Sequence, residues 1–463
     1  MEQVTVVGAG LAGCEAALQL AKRGIPVCLV EMRPTKSTPA HHTAMPAELV
    51  CSNSLKSLDP SSAAGTLKFE LACMGSFLIR IAAETAIPAG KALAVDRDVF
   101  SRAVDETIAS EKLIERVCEE VRDLPAAPAI IATGPLTSDA LAEAIRGEVG
   151  GDFLSFYDAA APIVMADSLD RGKVFAQSRY GKGDGDDYLN APFDKEGYEA
   201  FLEALLSAER AIGKDFERRE LFSACQPVEE IARSGPDALR FGPLKPVGLT
   251  DPATGRRPWA VVQLRAEDAA CAAYNLVGFQ TNLKYGEQER VFRMIPGLEQ
   301  AEFARFGVMH RNTFVDAPRA LSGWFELPKH SGVRLAGQLT GTEGYCEAIA
   351  SGLLAALATC AQISGAELPP PPETTLFGAL VSYARNPETV DYQPMHVNYG
   401  IIPPLETKVK NKRQRYAAYA ARARDAVVSY RAELEEMGIF APEIPSEVPW
   451  QIARYLEEDD DGR

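Results

Sequence analysis

The chain of 463 residues holds only five histidines and three tryptophans, and no two of its nine cysteines stand three apart. That spacing excludes a zinc ribbon and a Cys-x-x-Cys redox pair. With no histidine or cysteine cluster elsewhere, no metal is expected. The cysteines at 14, 28, 51, 73, 118, 225, 271, 346 and 360 are odd in number, a usage suited to a reducing compartment. Positive charge is also scarce. Lys and Arg total 48 against 64 Asp and Glu, a net charge of −16. A nonspecific coat on nucleic acid or anionic membrane is therefore disfavoured, while a local basic patch stays open. No apolar run is expected to reach the roughly eighteen residues of a membrane span. The opening Met1-Glu2-Gln3-Val4 shows no basic n-region and no cleavage site. A cytoplasmic protein without a membrane segment is expected. Hydrophobic residues make up 46% and charged residues 24%, the balance of a soluble globular enzyme. At about 150 residues per domain the length implies two or three domains.

What is present begins with Val4 to Val7, an apolar run ending in Gly8-Ala9-Gly10-Leu11-Ala12-Gly13. Leu11, Cys14, Leu18 and Ala21 then recur at helical spacing, Gly24 suits a helix stop, and Val27 to Val30 reads as a second strand. Gly8-x-Gly10-x-x-Gly13 thus stands between a strand and a helix, where dinucleotide binding requires it. Gly8 permits the tight turn, Gly10 lets the backbone approach a pyrophosphate, Gly13 packs the helix close, and the helix N-terminus stabilises the anion. Glu31 lies eighteen residues past Gly13, near the spacing of about 20 for a carboxylate on ribose hydroxyls. A carboxylate there suits a 2′-hydroxyl and repels a 2′-phosphate. The competing reading is a glycine-rich turn with no ligand.

Two later segments repeat the strand–turn–helix theme. Ala129-Ile130-Ile131 runs into Ala132-Thr133-Gly134, and Val333 to Ala336 leads through Gly337-Gln338 to Gly344 and an apolar helix near 345–361. They resemble the later FAD contacts of the flavoprotein class related to glutathione reductase. The candidate FAD contacts are therefore Gly8, Ala9, Gly10, Leu11, Ala12, Gly13, Glu31, Arg33, Thr133, Gly134, Gly337, Gln338 and Gly344. No second Gly-x-Gly-x-x-Gly and no Cys-x-x-x-x-Cys follow, which argues against a two-nucleotide disulfide reductase. NAD(P)H, if used, must dock on the flavin without a Rossmann unit of its own.

The expected fold is α/β: a Rossmann-type FAD-binding domain at 1–150, closed by 326–368, with an inserted α+β domain at 151–325. The insert shows short aromatic-containing strands, turn clusters such as 181–185 and a helix near 196–211. After Pro369 to Pro372 a C-terminal segment, 369–463, carries a charged helix from about 406 to 436. The stretch 34–66, rich in Pro, Ser, Thr and His, is expected to be a functional loop. His41 and His42 lie in it as a flexible pair too isolated to be ligands. The acidic run 457–461 is expected to be disordered. No internal repeats occur.

Several stretches together resemble the folate-dependent tRNA (uracil-5-)-methyltransferases, which use FAD and NAD(P)H. They include Val50-Cys51-Ser52-Asn53-Ser54-Leu55-Lys56-Ser57, Ala94-Val95-Asp96-Arg97, Arg179-Tyr180-Gly181-Lys182-Gly183 and Phe241-Gly242-Pro243-Leu244-Lys245-Pro246-Val247-Gly248-Leu249. Tyr274 to Thr281, Gly307 to Thr313 and Gly344 to Ala348 continue the pattern, so that it runs from residue 1 to about 405. The enzyme modifying the tRNA wobble uridine shares the FAD framework but is less similar in the insert. The resemblance implies that a methylene passes from 5,10-methylenetetrahydrofolate by way of reduced FAD to C5 of the T-loop uridine of tRNA. Uracil C5 is a poor nucleophile until a thiolate adds to C6.

Two cysteines match the family's reactive positions, and the resemblance assigns Cys225 to C6 and Cys51, near the flavin, as proton acceptor or second thiol. Arg218 and Arg219 precede Cys225, and Lys56 follows Cys51, where it would lower a thiol pKa. Free cysteines are otherwise mostly inert small hydrophobes, the reading given to Cys14, Cys28, Cys346 and Cys360. Ser223-Ala224 stands where the family usually has Glu-Gly, and Asn282 and His396 also depart from its pattern.

Between 408 and 431 eight cations, Lys408, Lys410, Lys412, Arg413, Arg415, Arg422, Arg424 and Arg431, face one anion, Asp425, with Tyr416, Tyr419 and Tyr430 interleaved and Tyr399 upstream. Cations for phosphates and aromatics for exposed bases suit a tRNA loop; a solvated helix face is the alternative. Lys408, Lys410, Lys412, Arg413 and Arg415 are the RNA-binding candidates. Arg179, Lys182, Arg290, Arg293 and Arg311 are equally readable as flavin, folate or structural partners. Rival readings are a ribosomal RNA methyltransferase, a simple FAD-dependent NAD(P)H oxidoreductase and a non-catalytic FAD protein that binds RNA.

Overall fold

The computed structural model describes residues 2–38, 40–150, 155–159, 161–181, 185–211, 226–307, 309–389 and 392–439, with backbone alone for 155–159 and 309–312. Its first sheet has six strands in the order Glu326–Leu327, His330–Leu335, Ala129–Ile131, Val4–Val7, Val27–Glu31, Ile114–Cys118. All neighbours are parallel except the edge pair Glu326–Leu327 with His330–Leu335. The central apolar runs suit a parallel sheet covered on both faces. The second six-stranded sheet is antiparallel throughout, in the order Phe175–Ala176, Tyr188–Phe193, Ala260–Ala266, Ala273–Leu276, Ile163–Met165, Phe303–Arg305. It has a hydrophobic core of its own. An antiparallel ribbon of Ser155–Ala159 and Met309–Thr313 joins the two where the chain leaves and returns.

Glycine sets the approach of the first helix, Leu11–Lys22, to its neighbours. Gly8 has φ +99°, a left-handed conformation, and a Cβ there would sit 2.7 Å from the carbonyl oxygen of Ala132. A Cβ on Gly13 would run into the carbonyl oxygen of Gly8. On the other side lies the helix Tyr345–Ile363, whose Gly352 abuts the backbone of Ala12. This helix corrects the expectation about membrane spans: its 19 residues are long and apolar enough to cross one, yet most of them are buried inside the protein.

Two buried carboxylates cap other helices. Glu15 accepts from Ser76 Oγ and from the amides of Phe77 and Leu78, at the start of Phe77–Glu84. Glu70 accepts from the amides of Leu376 and Phe377, at the start of Leu376–Arg385. Burial raises both carboxyl groups, Glu70 to about 8, against the opposing pull of those amides.

Some elements depart from the sequence reading. Within 34–66, Ser54–Ser57 forms a strand in a three-stranded sheet with Ala92–Val95 and Ala86–Ile87, and a helix starts at Ala63. Residues 42–48 of that stretch are tied down by hydrogen bonds. Glu48 accepts from the amides of His42 and Thr43 and from Thr43 Oγ1, and the Ala47 amide donates to the Ala9 carbonyl. The basic helix begins at Lys412, because the Asn411 side chain accepts from the Gln414 amide and caps it there. Lys408 and Lys410 therefore lie before the helix. The acidic run 457–461 and residues 182–184 lie outside the described residues.

Two outcomes follow from this packing. Gly352→Ala is expected to force the helices apart and cost about 1–3 kcal/mol; an unchanged unfolding midpoint in denaturant would show that the crossing yields freely. Glu70 holds a proton in the folded state up to about pH 8, while its ordinary value is 4.5. Its contribution to stability is therefore present at low pH and declines as pH rises between those values. Glu70→Gln should flatten that decline in melting temperature, and parallel profiles for the two proteins would refute the assignment.

Candidate functional site

The glycine turn opens onto a cavity of about 70 Å³ lined by Gly8, Gly10, Glu31, Arg33, Ala132 and Thr133 among others. Five of the residues expected from sequence thus meet in one place. A Cβ at Gly10 would meet nothing within 4 Å, so no packing demand accounts for glycine there, whereas a closely approaching ligand does. The Leu11–Lys22 helix starts at Gly10 with no side-chain cap and no acidic residue in its first turn. Its leading N–H groups and positive dipole end suit a pyrophosphate.

Glu31 closes the far side. It accepts from the Ala9 amide at 2.8 Å and from the Arg33 amide and Nε, each at 3.0 Å. Burial pushes this carboxyl up, but the Arg33 guanidinium and these amides prevail and hold it below the ordinary value. A carboxylate has about four lone-pair directions, so one on Oε2 remains for a ribose hydroxyl. Arg33 is 4% exposed and spends its donors on Glu31, Glu48 and the Thr43 carbonyl. It is an anchor for the loop as well as a wall of the cavity. His41, set aside on sequence, also lines the cavity, and burial and Arg33 push it down to about 4. Glu119, Glu120 and Val121 complete the far wall; no motif marks them, since they meet Glu31 only through strand pairing.

The later units behave differently. Thr133 and Thr137 hydroxyls share a 2.6 Å hydrogen bond, with Gly134 left-handed between them. Gly337 and Gly344 both have positive φ. Gly337 donates to Ser351 Oγ, and Gln338 Nε2 donates to the Glu343 carboxylate. A Cβ at Gly344 would strike the Glu347 carboxylate, which pairs with Lys56 at 3.1 Å. Lys56 is thus committed to Glu347, contrary to its expected place beside Cys51.

The environment of Cys51 comes from elsewhere. The Tyr345 hydroxyl accepts from the amides of Cys51 and Ser52, at 3.0 and 3.2 Å, and stands 3.1 Å from Cys51 Sγ. With both lone pairs of the phenol engaged, its proton points to sulfur, which favours the thiolate. Burial, and then the Cys51 charge, raise Tyr345 well above the ordinary phenol range, so the donor stays protonated. From the second sheet Arg265 donates to Asn53 Oδ1 at 2.8 Å and Ser52 Oγ at 2.7 Å. Arg97 pairs with Glu267 at 2.6 Å. The sequence reading missed Tyr345 and Arg265; Tyr345 stood inside the quoted stretch Gly344 to Ala348 with no chemistry attached, and Arg265 lay in no quoted motif. Cys225, with Ser223 and Ala224, lies outside the described residues. Cys14, Cys346 and Cys360 are buried, with thiols pushed up by burial, and Cys28 is half-buried.

In the C-terminal segment Lys408, Lys410, Lys412 and Arg413 are exposed and Arg415 is half-buried. The other cations anchor the helix: Arg422 donates to the carbonyls of Pro403 and Pro404, Arg424 to Pro60, Arg431 to Cys73. Tyr419 and Tyr430 are buried and Tyr399 is hydrogen-bonded to Thr66, so these rings are packing rather than base platforms. Among the described residues no group of three or more His, Cys, Asp or Glu is placed to hold a metal.

Residues 3–367 match the family described as glucose inhibited division protein A. Methylenetetrahydrofolate--tRNA-(uracil-5-)-methyltransferase TrmFO of Moorella thermoacetica is 54% identical over 91% of this chain and 97% of its own length. The protein of the same name from Geobacter sulfurreducens is 56% identical over 89% and 95%. In fold the chain is similar to GidA of Aquifex aeolicus, with a TM-score of 0.69 at 15% identity over 99% of this chain and 76% of that one.

Replacing Tyr345 with Phe removes the proton donor to Cys51 Sγ. The pH profile of Cys51 alkylation by iodoacetamide, followed by peptide mass, is expected to shift to higher pH by about one unit; an unmoved profile would mean that the phenol does not stabilise the thiolate.

Proposed function

We propose a function from this premise: the chain belongs to the glucose inhibited division protein A family and to the methylenetetrahydrofolate–tRNA-(uracil-5-)-methyltransferases. The protein transfers the methylene of 5,10-methylenetetrahydrofolate to C5 of the T-loop uridine of tRNA, forming 5-methyluridine, with NAD(P)H as reductant. It works in the cytoplasm, a reducing compartment that suits the odd number of its cysteines. FAD, when bound, supplies the carriage of the one-carbon unit and the final reduction. The observation that carries the reading is Cys51, hydrogen-bonded to Tyr345 and held by the Ser52-Asn53 loop between the two sheets.

The chain's own residues then divide the work. Gly10 and the helix start bind the pyrophosphate, Gly8 and Gly13 shape the turn that presents them, and Glu31 takes the ribose. Cys225 adds its sulfur to uracil C6, which makes C5 nucleophilic. Once C5 has formed its new carbon bond, Cys51 as thiolate accepts the C5 proton, and Cys225 leaves as C5=C6 is restored. Cys51 suits a proton acceptor because its sulfur receives a hydrogen bond from Tyr345 and sits near cationic Arg265 and Arg305.

Lys408, Lys410, Lys412, Arg413 and Arg415 supply the RNA contact. Cations in the first turn of Lys412–Glu436 oppose the positive end of that helix, a cost of about 0.3–1 kcal/mol each at a surface. A phosphate backbone laid against that end reverses the sign.

The primary test combines purified protein, tRNA transcript, methylenetetrahydrofolate, FAD and NADPH, with nucleoside mass analysis. 5-Methyluridine at the T-loop position is expected; NADPH consumption without it would leave the ribosomal RNA methyltransferase and the oxidoreductase readings. RNA carrying 5-fluorouridine should form a covalent adduct that Cys225→Ala abolishes, and persistence of that adduct would remove Cys225 from its role. Neutralising Lys408, Lys410 and Lys412 together should weaken tRNA binding and reduce the salt slope by about 1 per charge; unchanged binding would put the RNA elsewhere.

A further inference from the structure

Among the described residues the exposed aromatic rings are Tyr180, Phe241 and Tyr285, and all three stand in the inserted domain. Tyr285 is 57% exposed and has a built support behind it. Its ring stacks on Phe306, with centroids 4.9 Å apart and planes within 19°. Phe306 in turn stacks on Phe303, at 5.2 Å and 18°. Rings in the buried core of the same domain meet at steeper angles, from 38° for Phe193 with Phe201 to 78° for Phe279 with Phe292. Near-parallel rings ending on an exposed one are therefore a local arrangement, distinct from the packing of that core.

Hydrogen bonds hold that arrangement ready. Tyr285 opens the helix Tyr285–Phe292, and Gln288, one turn on, is buried. Gln288 Nε2 donates to the Gly307 carbonyl and its Oε1 accepts from the Gly307 amide, both at 2.8 Å. The residue after Phe306 is thus clamped by the helix that carries Tyr285, and the stack is set before a ligand arrives. A flat ligand laid on Tyr285 would cost the protein little further entropy. Beside the ring, Lys284 pairs with Glu209 at 2.7 Å, both side chains more than half exposed. Such a surface pair contributes little, so the ammonium is able to exchange it for a phosphate. The preceding residues also anchor the chain on both sides of 212–225. The Ala211 amide donates to the Asn282 carbonyl, and the Val228 amide to the Gln280 carbonyl. Tyr285 follows Asn282 by three residues, and Val228 follows Cys225 by three.

Resting on the functional reading above, we propose that Tyr285 is a stacking platform for one unpaired nucleobase of the tRNA loop, with Lys284 beside it for an adjoining phosphate. Looped RNA is recognised through bases that leave their own stack and lie on aromatic rings. The basic stretch 408–415 supplies charge, while Tyr399, Tyr419 and Tyr430 beside it are spent on packing or on Thr66. The inserted domain supplies the ring. Stacking tolerates any base, so the platform adds affinity and orientation more than sequence choice. A flavin or pterin would also stack, but an enclosed pocket suits such a ligand. Tyr285 lies on the open surface, outside the cavity at the glycine turn.

The test uses the FAD-loaded protein and a T-arm hairpin transcript with 2-aminopurine at one loop position at a time, since stacking on an aromatic ring quenches that probe. At saturating protein, wild type is expected to quench one position that Tyr285→Ala leaves bright. Tyr285→Ala should also bind the hairpin roughly 5- to 100-fold more weakly, with the salt slope unchanged because no charge is removed. Tyr285→Phe and Tyr285→Trp should keep the affinity, and Tyr285→Leu, apolar but without a π face, should lose it. Unchanged affinity in Tyr285→Ala, a Leu variant equal to Phe, or loss of FAD or tetrahydrofolate binding in step with RNA would each overturn the assignment. A protein dimer that Tyr285→Ala dissolves would give the ring to a second copy and overturn it too. A wild type that makes 5-methyluridine while Tyr285→Ala binds RNA normally overturns this assignment alone. A wild type that neither binds the hairpin nor makes 5-methyluridine overturns the functional reading with it.

Discussion

The candidate site depends on one buried connection, Arg265 to Asn53. Asn53 is 0% exposed and Arg265 is 7% exposed, so each polar group must be satisfied within the protein. Asn53 Nδ2 donates to the carbonyls of Val95 and Ala266 at 3.1 and 2.9 Å, and its Oδ1 accepts from Arg265 Nε. One amide side chain thereby ties the loop of the first domain to a strand of the second. Leaving any of these groups unpaired would cost more than the net gain of making the bond, so the arrangement specifies one geometry. Cys51 is two residues away and inherits its position from it. The Arg97–Glu267 pair reinforces the same junction from the neighbouring helix.

Around that junction, small residues and buried acids set the spacing. Gly13 and Gly352 bring the Leu11–Lys22 helix against the glycine turn on one side and the Tyr345–Ile363 helix on the other. Tyr345 opens the second of these helices, so the contact at Gly352 also determines how far the phenol stands from Cys51 Sγ. Glu15 and Glu70 then fix two further helices by capping their first turns, in place of water.

Much of the frame was legible in the sequence because its determinants are local. The strand, glycine turn and helix at 4–22 follow from an apolar run, three glycines at fixed spacing and a helical period. Glu31 follows from the length of one βαβ unit. The long irregular stretch was expected to be a functional loop, but its order was not foreseen, since Glu48 holds it through backbone amides that no composition reveals. Lys56 was placed beside Cys51 by proximity along the chain. The structure gives it to Glu347, 291 residues away, because a buried carboxylate at a helix start is a stronger partner than a half-buried thiol. The basic segment was overcounted for the same reason: Arg422, Arg424 and Arg431 are as cationic as Lys408, and only packing shows that carbonyl groups have claimed them.

What the sequence alone determined is a set of local features: a Gly-x-Gly-x-x-Gly turn between a strand and a helix, a carboxylate at the end of the next strand, cysteines with no Cys-x-x-Cys spacing and a cationic stretch in an acidic chain. These rest on residue type and short-range spacing, which folding does not change. The tertiary structure decided which groups act on which. Tyr345 meets Cys51 across 294 residues, and Arg265 meets Asn53 across 212. Hydrogen bonding and charge pairing act over a few ångströms, and only the folded chain brings residues so distant in sequence within that range.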